Sequence, residues 1–342
     1  MQPLQLVSVI IVTWNSKNYL LTCLDHLVMQ THSDIEVVLV DNGSKDGALD
    51  GLQEKYPSLD LHIHRLSSNL GYAVANNIGA SLARGKWIAL LNSDAFPEPD
   101  WLEQLMKAIE DNPEFSFFAS RQLQANQPEL LDGAGDAYHV SGLAWQRYHN
   151  YPTDQVGLES EEVFGACAAA AIYTRETFLQ VGGFDEDFFS YHEDVDLSFR
   201  LRLQGFRCLY VPQAKVAHVG SASTGARSDF WLYHWQRNYV WSFFQNMPSV
   251  LLWKALPAHL MANLSNVLNY ARRERGRIVL KAKFDALRGI QRAFEKRRRI
   301  QSARRINDDE LLRIMERGWL QPYSADRDIR KAGISEGYSR RK

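Results

Sequence analysis

The chain has 342 residues, of which 45% are apolar, and its 39 Lys and Arg residues nearly balance 40 Asp and Glu residues. This composition excludes a disordered chain, which would be poor in apolar residues, and a collagen-like chain, which needs glycine at every third position. The charge is unevenly distributed, with a net charge of −14 over residues 1–228 and +13 over residues 229–342. We therefore predict two regions, an acidic domain over 1–228 and an aromatic, then basic α-helical region over 229–342.

Neither the amino terminus nor the cysteines indicate export. Residues 1–14 have no basic segment before their apolar run and no cleavage site after it, so they predict a strand rather than a signal peptide. No stretch reaches the roughly 18 apolar residues that a membrane-spanning helix needs. Cys23, Cys167 and Cys208 lie far apart and predict buried thiols rather than a disulfide framework or a zinc site. We expect a cytoplasmic protein.

Short β-branched segments alternate with helical patterns over the first 120 residues. Strands are predicted over residues 6–13, 35–41, 59–66 and 87–92. This alternation predicts an α/β fold with a mostly parallel, Rossmann-like sheet and flanking helices. Ligands of such sheets bind beyond the carboxyl ends of the strands, so the residues that follow these strands should line one cleft.

Polar side chains follow the first two predicted strands. The first strand ends in Thr13-Trp14-Asn15-Ser16, and the second ends in Asp41-Asn42-Gly43-Ser44. A carboxylate in this position can accept hydrogen bonds from the ring N–H or the hydroxyls of a ligand. The sequence Asp-Asn-Gly-Ser is equally typical of a simple turn, so the motif alone leaves both interpretations open.

Two further motifs combine amide side chains with glycine or a carboxylate. Asn69-Leu70-Gly71 precedes a predicted helix that contains Asn76, and the amino terminus of a helix offers N–H groups to an anion. Asn92-Ser93-Asp94 follows the fourth strand, where Asp94 is either a turn residue or a ligand of a divalent cation. Neither motif matches the glycine patterns of dinucleotide or phosphate loops, so neither NAD chemistry nor NTP hydrolysis is predicted.

The second half of the acidic domain contains the densest group of carboxylates. Residues 122–162 are polar and irregular, and we expect loops that build part of a binding site. Six acids fall within residues 185–196, three of them in the first turn of a helix predicted over 193–204. Stabilisation of the helix dipole explains one or two of these acids, whereas a general base also requires a carboxylate in a pocket. A strand is predicted over 208–211, with His218 in the loop that follows.

The basic region carries one apolar helical stripe. Leu280, Phe284, Leu287, Ile290 and Phe294 recur at helical spacing among 14 basic and three acidic residues between positions 271 and 305. Three hypotheses compete for this stripe: a helix packed on the acidic domain, an interfacial helix attracted to anionic lipid, and a nucleic-acid-binding helix.

Taken together, the motifs resemble those of a known enzyme family. Thr13-Trp14-Asn15, Asp41-Asn42-Gly43-Ser44, Asn69-x-Gly71, Asn92-x-Asp94, Gly182-Gly183-Phe184-Asp185 and Glu193-Asp194-Val195-Asp196-Leu197 occur in the order and spacing that are typical of family 2 glycosyltransferases of GT-A fold. The chain is most similar to the bacterial rhamnosyltransferase branch, and the resemblance covers residues 7–220.

This resemblance implies a nucleotide-diphospho sugar donor, a divalent cation (Mn²⁺ or Mg²⁺) and inversion at the anomeric carbon. Asp41 would accept a hydrogen bond from N3–H of uracil or thymine, which favours a UDP- or dTDP-sugar. The branch implies transfer of L-rhamnose from dTDP-rhamnose to a saccharide or lipid-linked saccharide in the synthesis of bacterial cell-surface polysaccharide. The residues implied along the nucleotide sugar are Thr13, Asn15, Asp41, Asn42, Ser44, Asn69, Gly71, Asn76 and Asn92.

The resemblance also implies a metal site and a catalytic base. Asp94 and His218 would bind the cation, although a single histidine is also compatible with a structural role. Asn92 stands where the family often has the first Asp of an Asp-x-Asp motif, which removes one negative charge from this site. Asp194 would be the base, and Glu193 would help to place the acceptor.

Because acceptors in this family are often lipid-linked, the resemblance favours an anionic membrane surface over nucleic acid as the partner of the basic region. The protein would then lie at the inner face of the cytoplasmic membrane. The alternative hypothesis is a catalytically inert protein of the same fold that binds a nucleotide sugar or nucleic acid.

Overall fold

The computed structural model describes residues 5–220 and 228–318. The parts of the two predicted regions that fall on residues 1–4, 221–227 and 319–342 lie outside the described residues. The strands are β1 (Val7–Thr13), β2 (Ile35–Asp41), β3 (Asp60–Arg65), β4 (Trp87–Leu91), β5 (Ala95–Pro97), β6 (Phe117–Gln124), β7 (Gln127–Ala134), β8 (Asp136–Tyr138), β9 (Ala144–Gln146), β10 (Glu161–Val163), β11 (Ala170–Thr174) and β12 (Cys208–His218).

The helices of the acidic region are α1 (Lys17–Val28), α2 (Leu52–Lys55), α3 (Tyr72–Leu82), α4 (Trp101–Asp111), α5 (Arg175–Gln180) and α6 (Glu193–Leu203), with a short 3₁₀ helix at Glu186–Phe188. Those of the basic region are α7 (Asp229–Asn246), α8 (Ser249–Ala271), α9 (Gly276–Arg288), α10 (Ile290–Ser302) and α11 (Asp308–Ile314). No helix within 5–220 or 228–318 has the length and apolar character needed to cross a membrane.

One large sheet organises the acidic region. Its main path runs β10-β12-β6-β11-β4-β1-β2-β3, with β5 on β12 and β7 on β6. β11 runs antiparallel to both β4 and β6, and β10 runs antiparallel to β12, whereas the remaining strands of the path share one direction. The predicted α/β fold with a mostly parallel sheet is therefore confirmed.

Alternating side chains of the strands build a core on each face of the sheet. On β1, Val9 and Ile11 pack into a cluster with α1 and α4, whereas Ile10 packs into the opposite cluster with α3 and α6. Helix α1 buries Leu20, Cys23, Leu24 and Leu27, which are the residues that helical spacing places on one face. This three-layer arrangement fixes the carboxyl ends of β1, β2 and β4 along one edge.

Two details of the sequence prediction are wrong. The strand predicted over 208–211 continues to His218, which therefore ends β12 rather than lying in a loop. After an irregularity between Val211 and Lys215, the end of β12 pairs with β6 from Lys215 and with β5 from Val216. Residues 122–162 are not only loops, since β7, β8 and β9 form hairpins there. The first error arises because pairing with the distant strands β5 and β6 overrides a weak local pattern. The second arises because the hairpins β6–β7 and β8–β9 form within a polar, irregular sequence that gives no clear strand signal.

The basic region packs directly on the acidic one. Phe243 of α7 and Met247, which directly follows this helix, share a buried cluster with Tyr138, Phe164 and Phe199 of the acidic region. The predicted stripe from Leu280 to Phe294 does not lie on one helix, because Gly289 separates α9 from α10. The hypothesis that this stripe packs on the acidic domain is wrong for α9, since Leu280, Phe284 and Leu287 are exposed.

Candidate active site

The ends of β1 and β2 are tied together by hydrogen bonds. The Asn15 N–H donates to Ser44 Oγ (3.0 Å), and Asn15 Oδ1 accepts from the Lys45 N–H (2.8 Å). The Ser44 N–H donates to Asp41 Oδ1 at 3.0 Å. Thr13 is fully buried at the end of β1, and its hydroxyl has no hydrogen-bond partner among the described residues. These contacts bring Asn15, Asp41 and Ser44 together, and Thr13 lies in the same corner because it pairs in register with Asp41.

The asparagines of the next motifs hold the loop before α3. Asn42 Nδ2 donates to Asn69 Oδ1 (3.0 Å), which also accepts from the Gly71 N–H (2.9 Å). Gly71 has φ +95°, and a Cβ there would lie 2.6 Å from the carbonyl oxygen of Phe189, so only glycine fits. Asn76 is buried within α3, and its amide donates to the carbonyl of Tyr72 (2.9 Å). The geometry thus gives Asn42, Asn69 and Asn76 structural hydrogen bonds.

A histidine and two carboxylates lie beyond the end of β4. His218 Nε2 is 3.5 Å from Asp94 Oδ1, and its Nδ1 is 2.8 Å from Asp132 Oδ2. Asn92 Nδ2 also lies 3.5 Å from His218 Nε2. Burial alone would lower the pKa of His218, but the hydrogen bonds and charges of Asp132 and Asp94 raise it to about 10. Burial opposes the charge of Asp132 as well, yet its bonds to His149 and His218 keep its pKa below the usual value.

Tyr72 connects Asn92 with the acidic helix α6. Its Oη lies 2.8 Å from Asn92 Oδ1 and 3.1 Å from the carbonyl oxygen of Ala168. The Ala168 N–H in turn donates to Asp194 Oδ2 at 3.2 Å. Burial, followed by the charges of Glu193 and Asp194, raises the pKa of Tyr72 well above its ordinary value, so this hydroxyl stays protonated and remains a donor.

Three acids share the buried space around the start of α6. Burial raises the pKa of Asp194, but the N–H groups of Ala168 and Val195 donate to its carboxylate and oppose the rise. Burial and the charge of Asp194 raise the pKa of Glu193 well above its usual value, and Glu193 Oε2 has no hydrogen-bond partner among the described residues. Burial, with Asp194 and Asp132 nearby, raises the pKa of Asp136 in the same way.

The acids of residues 185–196 therefore have different roles. Asp196 is fully buried, and its carboxylate accepts hydrogen bonds from Arg200, Gln245 and Asn246. Such complete pairing is typical of a structural carboxylate. The unpaired oxygen of Glu193 and the two backbone bonds of Asp194 set this pair apart as the chemically available acids.

The loop that leads into α6 has an unusual backbone. Phe189, Tyr191 and His192 have φ values of 66°, 67° and 72°, in the left-handed region that non-glycine residues seldom adopt. Helix α7 holds this loop: Asn238 Nδ2 donates to the carbonyls of Phe188 (3.0 Å), Ser190 (3.0 Å) and Tyr191 (2.7 Å). Arg237 donates to the carbonyls of Asp187 and Phe188. The basic region thereby fixes the position of the acid pair.

A second group of metal-type ligands lies elsewhere. Among residues 5–220 and 228–318, Glu36, Asp60 and His62 are the group of three whose ligand atoms lie within reach of one ion. Arg84 already pairs with Glu36 (2.6 Å) and with Asp60 (2.5 Å), and these acids stand at the amino-terminal ends of β2 and β3. This is an ion-pair network at the edge of the sheet opposite to the site, so it does not bear on the predicted cation.

Comparison with known proteins decides the family. Residues 8–182, about half of the chain, match the sequence profile of glycosyl transferase family 2. The chain belongs to glycosyl transferase family 2. The transferase is 30% identical, over 243 residues, to N-acetylglucosaminyl-diphospho-decaprenol L-rhamnosyltransferase of Mycobacterium tuberculosis, covering 64% of this chain and 77% of that protein. The family that the motifs predicted is confirmed, and with it the glycosyltransferase activity.

Solved structures confirm the fold of the transferase. A mannosyltransferase from Pyrobaculum calidifontis, solved with GDP-Man and Mn²⁺, superposes with a TM-score of 0.53 at 15% identity, covering 98% of this chain and 88% of that one. GalNAc-T7, solved with UDP, GalNAc and Mn²⁺, superposes with a TM-score of 0.57 at 20% identity, covering 72% of this chain and 48% of that one. Both are similar in fold to the transferase.

Sequence reasoning missed three residues that the structure places in the site: Tyr72, Asp132 and Asp136. Tyr72 directly follows Gly71 and begins α3. This position in the motif could have predicted that Tyr72 faces the cleft. Asp132 lies inside β7 and Asp136 begins β8, in the segment that was predicted as loops. Their approach to His218 and Asp194 brings together positions that are distant in sequence, which no local pattern shows.

Proposed function

We propose that this glycosyltransferase inverts the anomeric carbon of a nucleotide-diphospho sugar, dTDP-L-rhamnose, as it transfers the sugar to a lipid-linked saccharide in the synthesis of cell-surface polysaccharide. The observation that carries this proposal is the continuous series of contacts from Asn92 through Tyr72 and Ala168 to Asp194, which joins the residues beside His218 to the acid pair. The 30% identity to a rhamnosyltransferase named for a decaprenol-linked substrate supports the donor and the acceptor class. With such an acceptor, we expect sugar transfer to take place at the inner face of the cytoplasmic membrane.

The donor corner fits a uracil or thymine nucleotide. Asp41 is a buried acceptor at the end of β2, and a carboxylate can bond the N3–H of these bases but not the N3 of cytosine, which is itself an acceptor. The unpartnered hydroxyl of Thr13 lies on the neighbouring strand, in register with Asp41. The Asn15 and Ser44 loops close the corner, which holds the donor in one orientation.

The residues beyond β4 fit a divalent cation. Asp94 and His218 face each other, and the bond from His218 Nδ1 to Asp132 leaves Nε2 directed to Asp94. A carboxylate and an imidazole form a ligand set that suits Mn²⁺ better than Mg²⁺. Asp94 and His218 would hold the ion, which supplies positive charge beside the departing diphosphate when it is bound.

The acid pair divides into a base and a protonated neighbour. Because backbone N–H groups stabilise the charge of Asp194, it ionises before Glu193, whose pKa is raised further by the charge of Asp194. Asp194 takes the proton of the acceptor hydroxyl as that oxygen bonds to the anomeric carbon, and the bond from this carbon to the diphosphate oxygen breaks. Glu193, kept protonated, donates a hydrogen bond that orients the acceptor.

A donor panel tests this function. We expect release of nucleoside diphosphate to be fastest with dTDP-L-rhamnose and to require both Mn²⁺ and a polyprenyl-diphospho-sugar acceptor. Faster turnover of a UDP-hexose under the same conditions would overturn the choice of donor while leaving the reaction class intact. Donor binding without release in the presence of any acceptor would instead support the inert binding protein.

A further inference from the structure

Helix α8 exposes an apolar face. Six large apolar residues of this helix are about half exposed or more, with Trp253 the most exposed at 70%. They are Val250, Trp253, Leu260, Met261, Leu264 and Leu268. At 100° per residue, all six fall within an arc of about 100° on one side of the helix. The opposite side buries Leu251, Leu252, Ala255, His259 and Ala262. Helix α8 is therefore amphipathic with an unpartnered apolar side.

Helix α9 repeats this arrangement. Leu280, Phe284 and Leu287 share one side and are 57%, 56% and 63% exposed, whereas the small residues Val279, Ala282 and Ala286 face inward. Ala262 of α8 and Ala286 of α9 pack into the same cluster on α7. Since two adjacent helices bury their small residues on the same support, their large apolar residues point away from it together. Nine large apolar side chains exposed together on a folded chain indicate a binding surface.

Exposed cations lie on the same two helices as this apolar surface. Lys254, Arg272, Arg273, Arg277, Lys281 and Arg288 are exposed on α8, α9 and the turn between them. Arg272, Arg273 and Arg277 have no carboxylate partner within the part of the chain that the structure describes. Residues 249–288 contain eight basic residues and two acidic ones, Glu274 and Asp285. The surface combines large apolar side chains, including an exposed tryptophan, with an excess of positive charge.

We propose that the exposed faces of α8 and α9 form a docking surface for the interface of an anionic lipid bilayer. Leucine, phenylalanine and tryptophan side chains would enter the boundary between headgroups and acyl chains, while the arginines contact lipid phosphates. A second copy of the chain is disfavoured, because an isologous dimer would bring the same cations against each other. This inference rests on the proposed function, which supplies the lipid-linked acceptor as the reason for docking. Binding to the bilayer can nevertheless be measured without catalysis.

Sedimentation with vesicles tests this surface on the full chain. The probe is vesicles of phosphatidylcholine with or without an equal part of phosphatidylglycerol. We expect binding to the anionic vesicles that weakens as salt is raised, and weak binding to the neutral ones. Equal binding to both kinds of vesicle, or to neither, would overturn the proposal.

Two sets of variants locate the contact. Trp253→Gln, Leu264→Gln and Phe284→Gln combined should abolish binding, and Arg272→Gln, Arg273→Gln and Arg277→Gln should each weaken it about fivefold. The controls are Leu82→Gln and Leu158→Gln, which change exposed apolar residues of the acidic region, and Lys107→Gln, which removes an exposed cation there. Unchanged binding by the triple apolar variant would show that the surface lies elsewhere.

The same variants separate docking from catalysis. With a water-soluble acceptor analogue, the triple apolar variant should release nucleoside diphosphate at the parental rate, and circular dichroism should show the parental fold. Failure of all proteins to release diphosphate, with vesicle binding intact, would contradict the proposed function alone. A parental protein that is dimeric in solution, with a triple variant that is monomeric, would assign the surface to self-association and overturn lipid docking.

Discussion

The acidic region (described over residues 5–220 and at 228) and the basic region (described over 229–318) contribute to the site in different ways. Every candidate donor, metal and base residue lies in the acidic region. The basic region contributes Arg237 and Asn238, which bond the carbonyls of the loop before α6. The acidic region thus contains the candidate catalytic and binding residues, and the basic region holds their loop in position. The two regions nevertheless share one buried cluster.

The two regions also bury opposite charges. Around the acid pair, burial raises the pKa of Glu193 and Asp194, which favours their protonated forms. In the basic region, burial lowers the pKa of Lys283 to about 7, which favours its neutral form. Low dielectric acts on both in the same physical sense, because it disfavours whichever form is charged. Of these groups, only Glu193 and Asp194 lie in the candidate active site, where they could exchange a proton with a substrate.

The largest effect should come from the base. Asp194→Asn removes the proton acceptor but keeps the size of the side chain, so we expect the transfer rate to fall about 10²–10⁴-fold with donor affinity unchanged. Steady-state kinetics and calorimetric donor titration measure both quantities. The matched control is Glu186→Gln, an exposed carboxylate seven residues before Glu193, which should behave as the parental protein. A parental rate for Asp194→Asn would remove Asp194 from the mechanism.

A second prediction concerns the support of the metal site inside the acidic region. Asp132→Asn weakens the acceptor that orients His218, so Mn²⁺ affinity in the presence of nucleoside diphosphate should fall about 10–100-fold. Calorimetric titration of Mn²⁺ measures this without requiring turnover. Glu129→Gln, an exposed acid on the same strand β7, is the control. If both variants bind Mn²⁺ equally well, His218 does not depend on Asp132.

The sequence predicted much of the fold and the family. The bounds of β1, β2 and β4, which end at Thr13, at Asp41 and just before Asn92, were predicted within one residue, because β-branched runs bounded by polar turns are strong local signals. The family followed from the order of its motifs and is confirmed. The identity of the site residues stays a prediction, since the comparisons identify the family and not the role of each side chain.

What the sequence did not show depends on contacts between distant elements. Asp132 reaches His218 across 86 positions, and Tyr72 reaches Ala168 across 96. The apolar stripe of the basic region was predicted as one helix, but the structure divides it at Gly289 into α9 and α10. A Cβ at this position would lie 2.4 Å from the Trp241 ring of α7, so the close packing there requires glycine. Periodicity identifies an apolar side, but it does not tell whether that side is buried.

The support from the basic region should be smaller but measurable. Asn238→Ala removes one donor from the carbonyls of Phe188, Ser190 and Tyr191, of which Phe188 keeps its bond from Arg237. This loss loosens the backbone that positions Glu193 and Asp194. Because small displacements of catalytic groups are costly, we expect kcat to fall about 10-fold with KM for the donor unchanged. Asn263→Ala is the control, since Asn263 donates to a carbonyl within α8. Equal kcat values for the two variants would mean that the loop needs no support from α7.

The smallest expected effect concerns Lys283, the buried cation that we contrast with the buried acids of the site. The unfolded chain keeps Lys283 protonated up to about pH 10, whereas the folded protein releases this proton near pH 7, so the contribution of Lys283 to stability rises with pH between these values. Lys283→Met should therefore raise the melting temperature by a few degrees at pH 7, with the gain shrinking toward pH 9.5. Lys281→Met, on the exposed side of α9, should show no such trend. A gain that is independent of pH would indicate that Lys283 is charged in the folded protein and that its carbonyl contact with Gln236 compensates for burial.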